Sequence, residues 1–173
     1  MACTTLTTIL KGCDNNMGGI TSIYINDMEN LGTLTVNTND WEVTSFGTLV
    51  DEFVEFEFRR NTGNFTEELA NDFINGSQFY TQTITLMFHR REAFKSKAIK
   101  ILGEGQRDLA LVVGDANGKY WYFENAQLSA VAEGSGTAKA DGSKYSVTFV
   151  AESEHLAYEV DSALIPTLIV PVS

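Results

Sequence analysis

The alternation of apolar and polar side chains in two segments constrains the fold more than any other feature of the sequence. In segment 80–88 one face holds four apolar residues and the other three threonines: Tyr80, Ile84, Leu86 and Phe88, against Thr81, Thr83 and Thr85. In segment 53–58 the two faces are Val54, Phe56 and Phe58, against Glu55 and Glu57. Because side chains of a strand point alternately to two faces, both segments predict half-buried β-strands with one polar face.

Other short β-type runs lie on both sides of these segments, at 20–25, 34–36, 41–46, 108–113, 119–123, 127–132 and 145–151. Asn117-Gly118 is a strong hairpin signal between two of the runs. A single convincing helix is predicted over 92–102, with an apolar stripe and a stop at Gly103: Phe94, Ala98, Ile101 and Leu102. The pattern predicts a mainly β protein, a small β-sandwich or barrel flanked by one α-helix.

The 173 residues correspond to one domain. Within it we expect an N-terminal arm over 1–17, a long loop over 61–78 between two central strands, and an apolar C-terminal arm over 153–173. The loop sequence also predicts a helix of about one to two turns, with Thr66 as N-cap and Gly76 beyond its end.

The charge is strongly negative and unevenly distributed. The formal net charge is −11, which excludes a protein that coats DNA over most of its surface and gives no general signal for membrane binding. Residues 1–58, 59–107 and 108–173 carry −8, +3 and −6. A basic middle between acidic ends is typical either of a solvated helix face or of a patch that meets an acidic patch on an identical neighbour.

The residues do not favour an enzyme. Only two histidines are present, His89 and His155, and no serine lies in a Gly-x-Ser-x-Gly elbow. Cys3 and Cys13 lack the tight spacing of a zinc site, so we expect reduced thiols, with no metal and no cofactor. Without a signal-peptide pattern or a membrane-length apolar run, we expect synthesis in a cytoplasm and no membrane span.

Aromatic residues offer one alternative of another class. Trp41 and Trp121, with Tyr120 and Tyr122, are residue types that stack on sugars in a carbohydrate-binding β-sandwich. Aromatics at alternating spacing are more often core or cross-strand residues.

The order of elements resembles that of the tail tube proteins of tailed bacteriophages, whose fold is shared with the secreted tube of bacterial injection systems. The similarity covers about residues 18–152 and rests on segments 55–60 and 82–88, the following helix, and segments 125–130 and 138–149. The resemblance implies a virion structural protein, made in the host cytoplasm, that assembles with itself into stacked hexameric rings and contacts other tail proteins. DNA would pass through the channel without specific binding.

The resemblance also implies roles for particular residues. The channel lining would be Glu55, Glu57, Thr81, Thr83 and Thr85. The loop over 61–78 would contact the next ring through Phe65, Phe73 and Ile74. Acidic surfaces of neighbouring subunits would be met by Arg59, Arg60, Arg90, Arg91, Lys95, Lys97 and Lys100. A head–tail connector or tail-terminator ring, which uses a similar fold without polymerising, is the alternative within the same class.

Overall fold

The computed structural model describes residues 5–169 and is built mainly of strands. They run Ile20–Asp27 (β1), Thr35–Asn37 (β2), Glu42–Ser45 (β3), Val54–Glu55 (β4), Gly63–Asp72 (β5), Ser77–His89 (β6), Leu109–Asp115 (β7), Tyr120–Ala132 (β8), Lys144–Ser153 (β9) and Tyr158–Val160 (β10). The helices are Ala93–Gly103 (α1) and Ile165–Leu168 (α2), with single 3-10 turns at Met28–Asn30, Glu104–Gln106 and Lys139–Asp141. The predicted fold class, a small β-barrel or sandwich with one main helix, is confirmed.

All ten strands form one curled sheet that branches at β8. Along one path the order is β2-β3-β10-β8-β7-β1-β4, and from β8 a second path continues through β9 and β6 to β5. The first half of β8 pairs with β7 and β10, whereas the second half pairs with β9. Because β8 belongs to both paths, the sheet curls and the two paths enclose the main core between them. Asn117-Gly118 forms the β7–β8 turn as predicted, with φ of +79° at Gly118.

The main core lies inside the curl. It is formed by alternating side chains of β1, β6, β7, β8 and β9, including Ile84, Leu86 and Phe149, which are fully buried. Helix α1 covers this core with Ile99 and Leu102. The predicted helix is therefore confirmed within one residue at each end. Its predicted stripe is only partly right, because the packed face is rotated and leaves Phe94 and Ile101 exposed.

A second core covers the outer face of the β1-β7-β8 layer and includes Val112 and Tyr122. Its cover includes Val160 of β10 and Ile165 and Leu168 of α2. The described part of segment 153–169 is thus packed, and the prediction of an apolar arm without a local partner is wrong there. Residues 170–173 lie outside the described residues.

The predicted strand over 53–58 is interrupted because it passes between the two cores. Phe53 enters the second core and donates its backbone N–H to the carbonyl of Leu168 at 2.7 Å. Phe56 and Phe58 pack against the main core instead, and only the two residues of β4 pair with β1. Alternation is consequently lost, and Val54 is exposed where a buried side chain was expected.

The segment over 61–78 is not a loop. Strand β5 pairs with β6 in antiparallel register along ten residues, from Gly63↔Leu86 to Asp72↔Ser77. The helix predicted from Thr66 is therefore also wrong. Its local helical spacing is overridden by this long-range pairing, which packs Phe65 on the main core and turns Thr66 to solvent.

The two faces of β6 give a direct test of the core assignment. We expect Leu86→Ala to lower the free energy of unfolding by about 2–5 kcal/mol, because it empties a fully buried site. Thr85→Ala changes the adjacent residue on the opposite face and should cost no more than about 1 kcal/mol. Denaturant unfolding of both variants measures the difference. Equal losses would contradict the assignment of the two faces.

Candidate assembly surfaces

The outer face of the β5-β6-β9 layer is a broad polar surface. Thr81, Thr83 and Thr85 lie side by side on β6, since Gln82 and Ile84 between them point inward and are buried. Cross-strand neighbours on the same face come from β5 and β9, and they are Asn64, Thr66, Thr148 and Val150. The structure therefore brings the three predicted threonines together on one partly exposed surface.

Glu55 and Glu57 do not belong to this polar face, contrary to the sequence-based expectation. Glu55 lies opposite Tyr24 on the other path of the sheet, where β4 pairs with β1. Both glutamates border a cleft against α1, together with Lys95. Their position follows from the crossing of segment 53–58 between the two cores.

Two other carboxylates occupy the polar face, and the sequence analysis missed them. Glu68 of β5 and Glu152 of β9 are both direct cross-strand partners of Thr81, one on each side. Both side chains are exposed. The signal for Glu152 is the alternation along β9, where Tyr145, Val147, Phe149 and Ala151 are buried and the residues between them are not. Glu68 lies in the segment for which the sequence predicts a helix, so its place on a strand face was not expected.

The layer that carries this face ends in two unpaired strand edges among the described residues. One is β5, which pairs only with β6 over its ten residues. The other is the end of β8 over 129–132, which pairs with β9 but lies beyond the last β7 partner, Ala126. Successive antiparallel pairing makes β5 and β8 run in opposite directions.

The β5–β6 hairpin projects beyond the sheet and ends in an apolar tip. Pairing of β6 with β9 stops at Tyr80↔Ser153, so the last residues of the hairpin pair only with each other. At the tip, Phe73 and Ile74 are 89% and 96% exposed. A carboxylate fixes the turn, because Asp72 Oδ1 accepts the N–H of Ile74 at 2.9 Å and Oδ2 accepts Asn75 Nδ2 at 2.6 Å.

The same turn explains the acidity of Asp72. The hydrogen bond from the Asn75 side chain, followed by the backbone N–H groups of Asn75 and Ile74, lowers the pKa of Asp72. The third predicted contact residue, Phe65, lies elsewhere. Its ring packs on Phe123 with centroids 5.3 Å apart, so Phe65 is partly buried against the main core and lies away from the exposed tip.

Several predicted basic residues cluster at the end of β6 opposite the tip. Arg90 and Arg91 follow His89, and Lys144 is the cross-strand partner of His89. Arg59 and Arg60 precede β5 at the same end, where Thr62 Oγ1 lies 3.5 Å from the Met87 carbonyl. The 13 residues of β6 separate this basic end from the tip by about 40 Å.

The basic residues differ in whether their charged groups already contact other groups of the same chain. Lys95 is used within the chain, because its Nζ donates to the carbonyl of His89 at 2.8 Å and lies 3.3 Å from Glu92 Oε2. Arg90 Nε lies 3.2 Å from Glu92 Oε1, and the Arg91 guanidinium lies 4.2 Å above the Tyr145 ring. Solvent-exposed members of the predicted set are Arg59, Arg60, Arg90, Arg91, Lys97 and Lys100.

The tryptophans do not form the sugar-binding pair that the alternative interpretation needs. Trp41 is half-exposed and packs on Tyr158 with centroids 5.6 Å apart, next to His155. Trp121 points to the main core, and its indole N–H donates to Asp115 Oδ2 at 3.1 Å. The two rings therefore belong to different surfaces.

Within residues 5–169, no group of three or more histidine, cysteine, aspartate or glutamate side chains is placed to hold a metal ion. No helix in that part of the chain has the length and hydropathy needed to cross a membrane. Cys13 is exposed, and Cys3 lies outside the described residues. No protein-family model matches the chain, and the search of curated proteins gave no significant match.

Different roles for the aromatic residues of the hairpin predict different effects on stability. We expect Phe65→Ala to lower the free energy of unfolding by about 2–4 kcal/mol, since it removes a ring from the core. Phe73→Ala combined with Ile74→Ala should change it by no more than about 0.5 kcal/mol, since both side chains are in solvent. Thermal or denaturant unfolding separates the two cases. A large loss in the tip variant would show that the tip packs on its own subunit.

Proposed function

We propose that this protein is the tail tube subunit of a tailed bacteriophage, a structural protein that forms stacked rings around a DNA channel. The observation that carries the proposal is the β5-β6-β9-β8 layer, which combines an exposed polar face with an unpaired edge on each side. The resemblance in element order indicates the class of assembly. The layer supplies the strand edges through which copies could pair to form it.

The two edges suit closure into a barrel. A long open edge is a template for pairing with another chain, and closure removes it. When copies are related by rotation about an axis, β5 of one copy meets the end of β8 of the next with opposite direction, which permits antiparallel pairing. Six such copies with four strands each make a barrel of roughly 24 strands, more than the 16–18 that already leave an aqueous channel.

The polar face then borders the channel. The packed side of the layer faces the main core, so only the side with Thr81, Thr83 and Thr85 is left for the lumen. The Glu68–Thr81–Glu152 row adds two carboxylates per subunit to that surface. Carboxylates repel the DNA phosphates within a Debye length of about 8 Å at physiological salt, which favours sliding over binding.

The ends of β6 suit stacking of one ring on another. The apolar tip with Phe73 and Ile74 lies at one end, and the arginine cluster lies at the other. A surface whose complementary parts lie at opposite ends makes head-to-tail contacts that continue indefinitely. This end-to-end difference favours a polymerising tube over a connector ring, which is the alternative in the same class.

Electron microscopy of the purified full-length protein, alone or with tail initiators, tests the proposal directly. We expect rings with a central channel that stack into tubes. A protein that stays strictly monomeric and is missing from virions would contradict the proposal. Single rings that never stack would favour the connector or terminator alternative.

The channel assignment is tested by reversing charge on the polar face. We expect assembled Glu68→Lys, Glu152→Lys protein to retain double-stranded DNA at about 0.15 M salt, because lysines in the lumen attract phosphates. Co-sedimentation of DNA with the tubes measures retention. Glu55→Lys, Glu57→Lys is the matched control, with the same charge change outside the proposed lumen, and it should retain no more DNA than the wild type. Equal retention by both variants would contradict the assignment.

The stacking assignment is tested at the hairpin tip. Phe73→Asp with Ile74→Asp should leave rings intact and prevent them from stacking, because charged side chains would be desolvated in the contact. Val50→Asp is the control, since Val50 is also 75% exposed but lies away from the tip. Tube length in negatively stained images is the measurement. Tubes of normal length in the tip variant would exclude the tip from the contact.

A further inference from the structure

Segment 5–16, here called the arm, carries exposed apolar side chains, and it is held at its end by a hydrogen bond from Asn117 Nδ2 to Asn16 Oδ1 at 3.2 Å. It contains no helix or strand, and Leu6 and Ile9 are 97% and 96% exposed. Leu10 is also exposed. Threonine and branched apolar residues favour extended backbone, so the arm is suited to pair as a strand.

A second apolar surface lies beside α1. Two adjoining clefts of about 510 and 520 Å³ flank the contact between segment 54–56 and the helix. Both clefts are lined by Val54, Phe56 and Ala98, and at their outer ends lie the exposed rings and chains of Phe94 and Ile101. We call this continuous surface the helix cleft.

The helix cleft also borders an open strand edge. The sheet order ends at β4, which pairs with β1 on one side only. An extended peptide that enters such a cleft can add backbone hydrogen bonds to the edge while alternate side chains fill the apolar floor. A strand-forming segment is therefore a better occupant than a helix.

Charge favours the arm as that segment. The helix cleft is bordered by five carboxylates and two basic residues, so its lining is net negative: Asp27, Asp51, Glu52, Glu55 and Glu57, with Lys95 and Arg107. Arg107 is paired with Asp27 at 3.0 Å. The arm has one lysine, Lys11, directly after the apolar group, and one acid, Asp14. Complementary charge steers and orients a contact of this kind.

We propose that the arm of one copy docks in the helix cleft of a second copy. The dimensions agree, since residues 6 to 10 span about 13 Å when extended and Phe94 to Ile101 span about 10 Å along the helix. The root of the arm lies at the end of β1 away from the cleft of the same copy. Met17 donates to Asn117 at 2.8 Å, so the arm leaves at the end of β1 that pairs with Asp115, whereas the cleft is lined by Ile25 at the other end.

This contact uses neither the β5 and β8 edges nor the hairpin tip. It requires only two copies, whether or not they form rings. Its failure is consequently distinguishable from failure of the tube proposal.

Cross-linking between two differently tagged populations of the full-length chain tests the proposal. Both carry Cys3→Ser and Cys13→Ser; one adds Thr8→Cys in the arm and the other Ile101→Cys in the helix cleft. With a short bis-maleimide, we expect a cross-linked product that contains both tags, at least tenfold above that formed with Leu156→Cys as the control partner. Leu156 is exposed, does not line the cleft and lies outside the proposed ring and stacking contacts.

Arm variants show whether the apolar residues carry the contact. Leu6→Asp with Leu10→Asp should reduce the mixed product at least tenfold, whereas Thr5→Asp with Thr7→Asp adds the same charge and should reduce it much less. A mixed product no greater than with Leu156→Cys would overturn the proposal. So would a cross-link found only within single chains that carry both cysteines, because the arm would then occupy its own cleft.

Discussion

The pairing of β6 with a strand on each side is the interaction on which the rest of the structure depends. Ten residues of β6 pair with β5, and ten pair with β9. One face of β6 therefore supplies Ile84, Leu86 and Phe88 to the main core, and the other supplies the threonines of the polar surface. Strand β6 therefore contributes both to stability and to the proposed channel surface. A register slip of one residue would move its apolar side chains to the polar face and its threonines to the core face.

The sequence predicts what alternation alone determines. Segment 80–88, the Asn117-Gly118 turn and the helix over 93–103 are found where expected, because each depends on local geometry and on burial of one face. The same reasoning fails where a segment serves two environments. Segment 53–58 alternates in sequence, yet Phe53 and Phe56 enter different cores, and this separates Glu55 from the threonines. Alternation alone does not show on which surface of the protein Glu55 lies, because that depends on the three-dimensional path of the chain.

The hairpin over 63–89 shows a second limit of sequence-based inference. Glu67 and Gln82 lie on the inward face, where charged and amide side chains are not expected. Gln82 Nε2 donates to Glu67 Oε1 at 2.8 Å, and the same oxygen accepts the N–H of Ala157 at 2.7 Å. This network satisfies Gln82 Nε2 and Glu67 Oε1, the latter by contact with the β9–β10 connection, 90 residues away in sequence. Gln82 Oε1 is buried without a hydrogen-bond partner among the described residues. Without knowledge of that partner, the acidic pair Glu67-Glu68 is more typical of a first helical turn.

In the structure, basic and acidic residues are separated along the length of β6. Arg59, Arg60, Arg90 and Arg91 meet at one end of β6, whereas the carboxylates Glu68, Asp72 and Glu152 lie toward the other. A net charge of −11 opposes association of identical copies, since like surfaces repel. In the proposed tube, copies that align head to tail bring the basic end of one toward the acidic end of the next, and this alignment lowers the repulsion. For the proposed tube, electrostatics therefore favours one direction of assembly, while the apolar tip and the open strand edges are the proposed contacts.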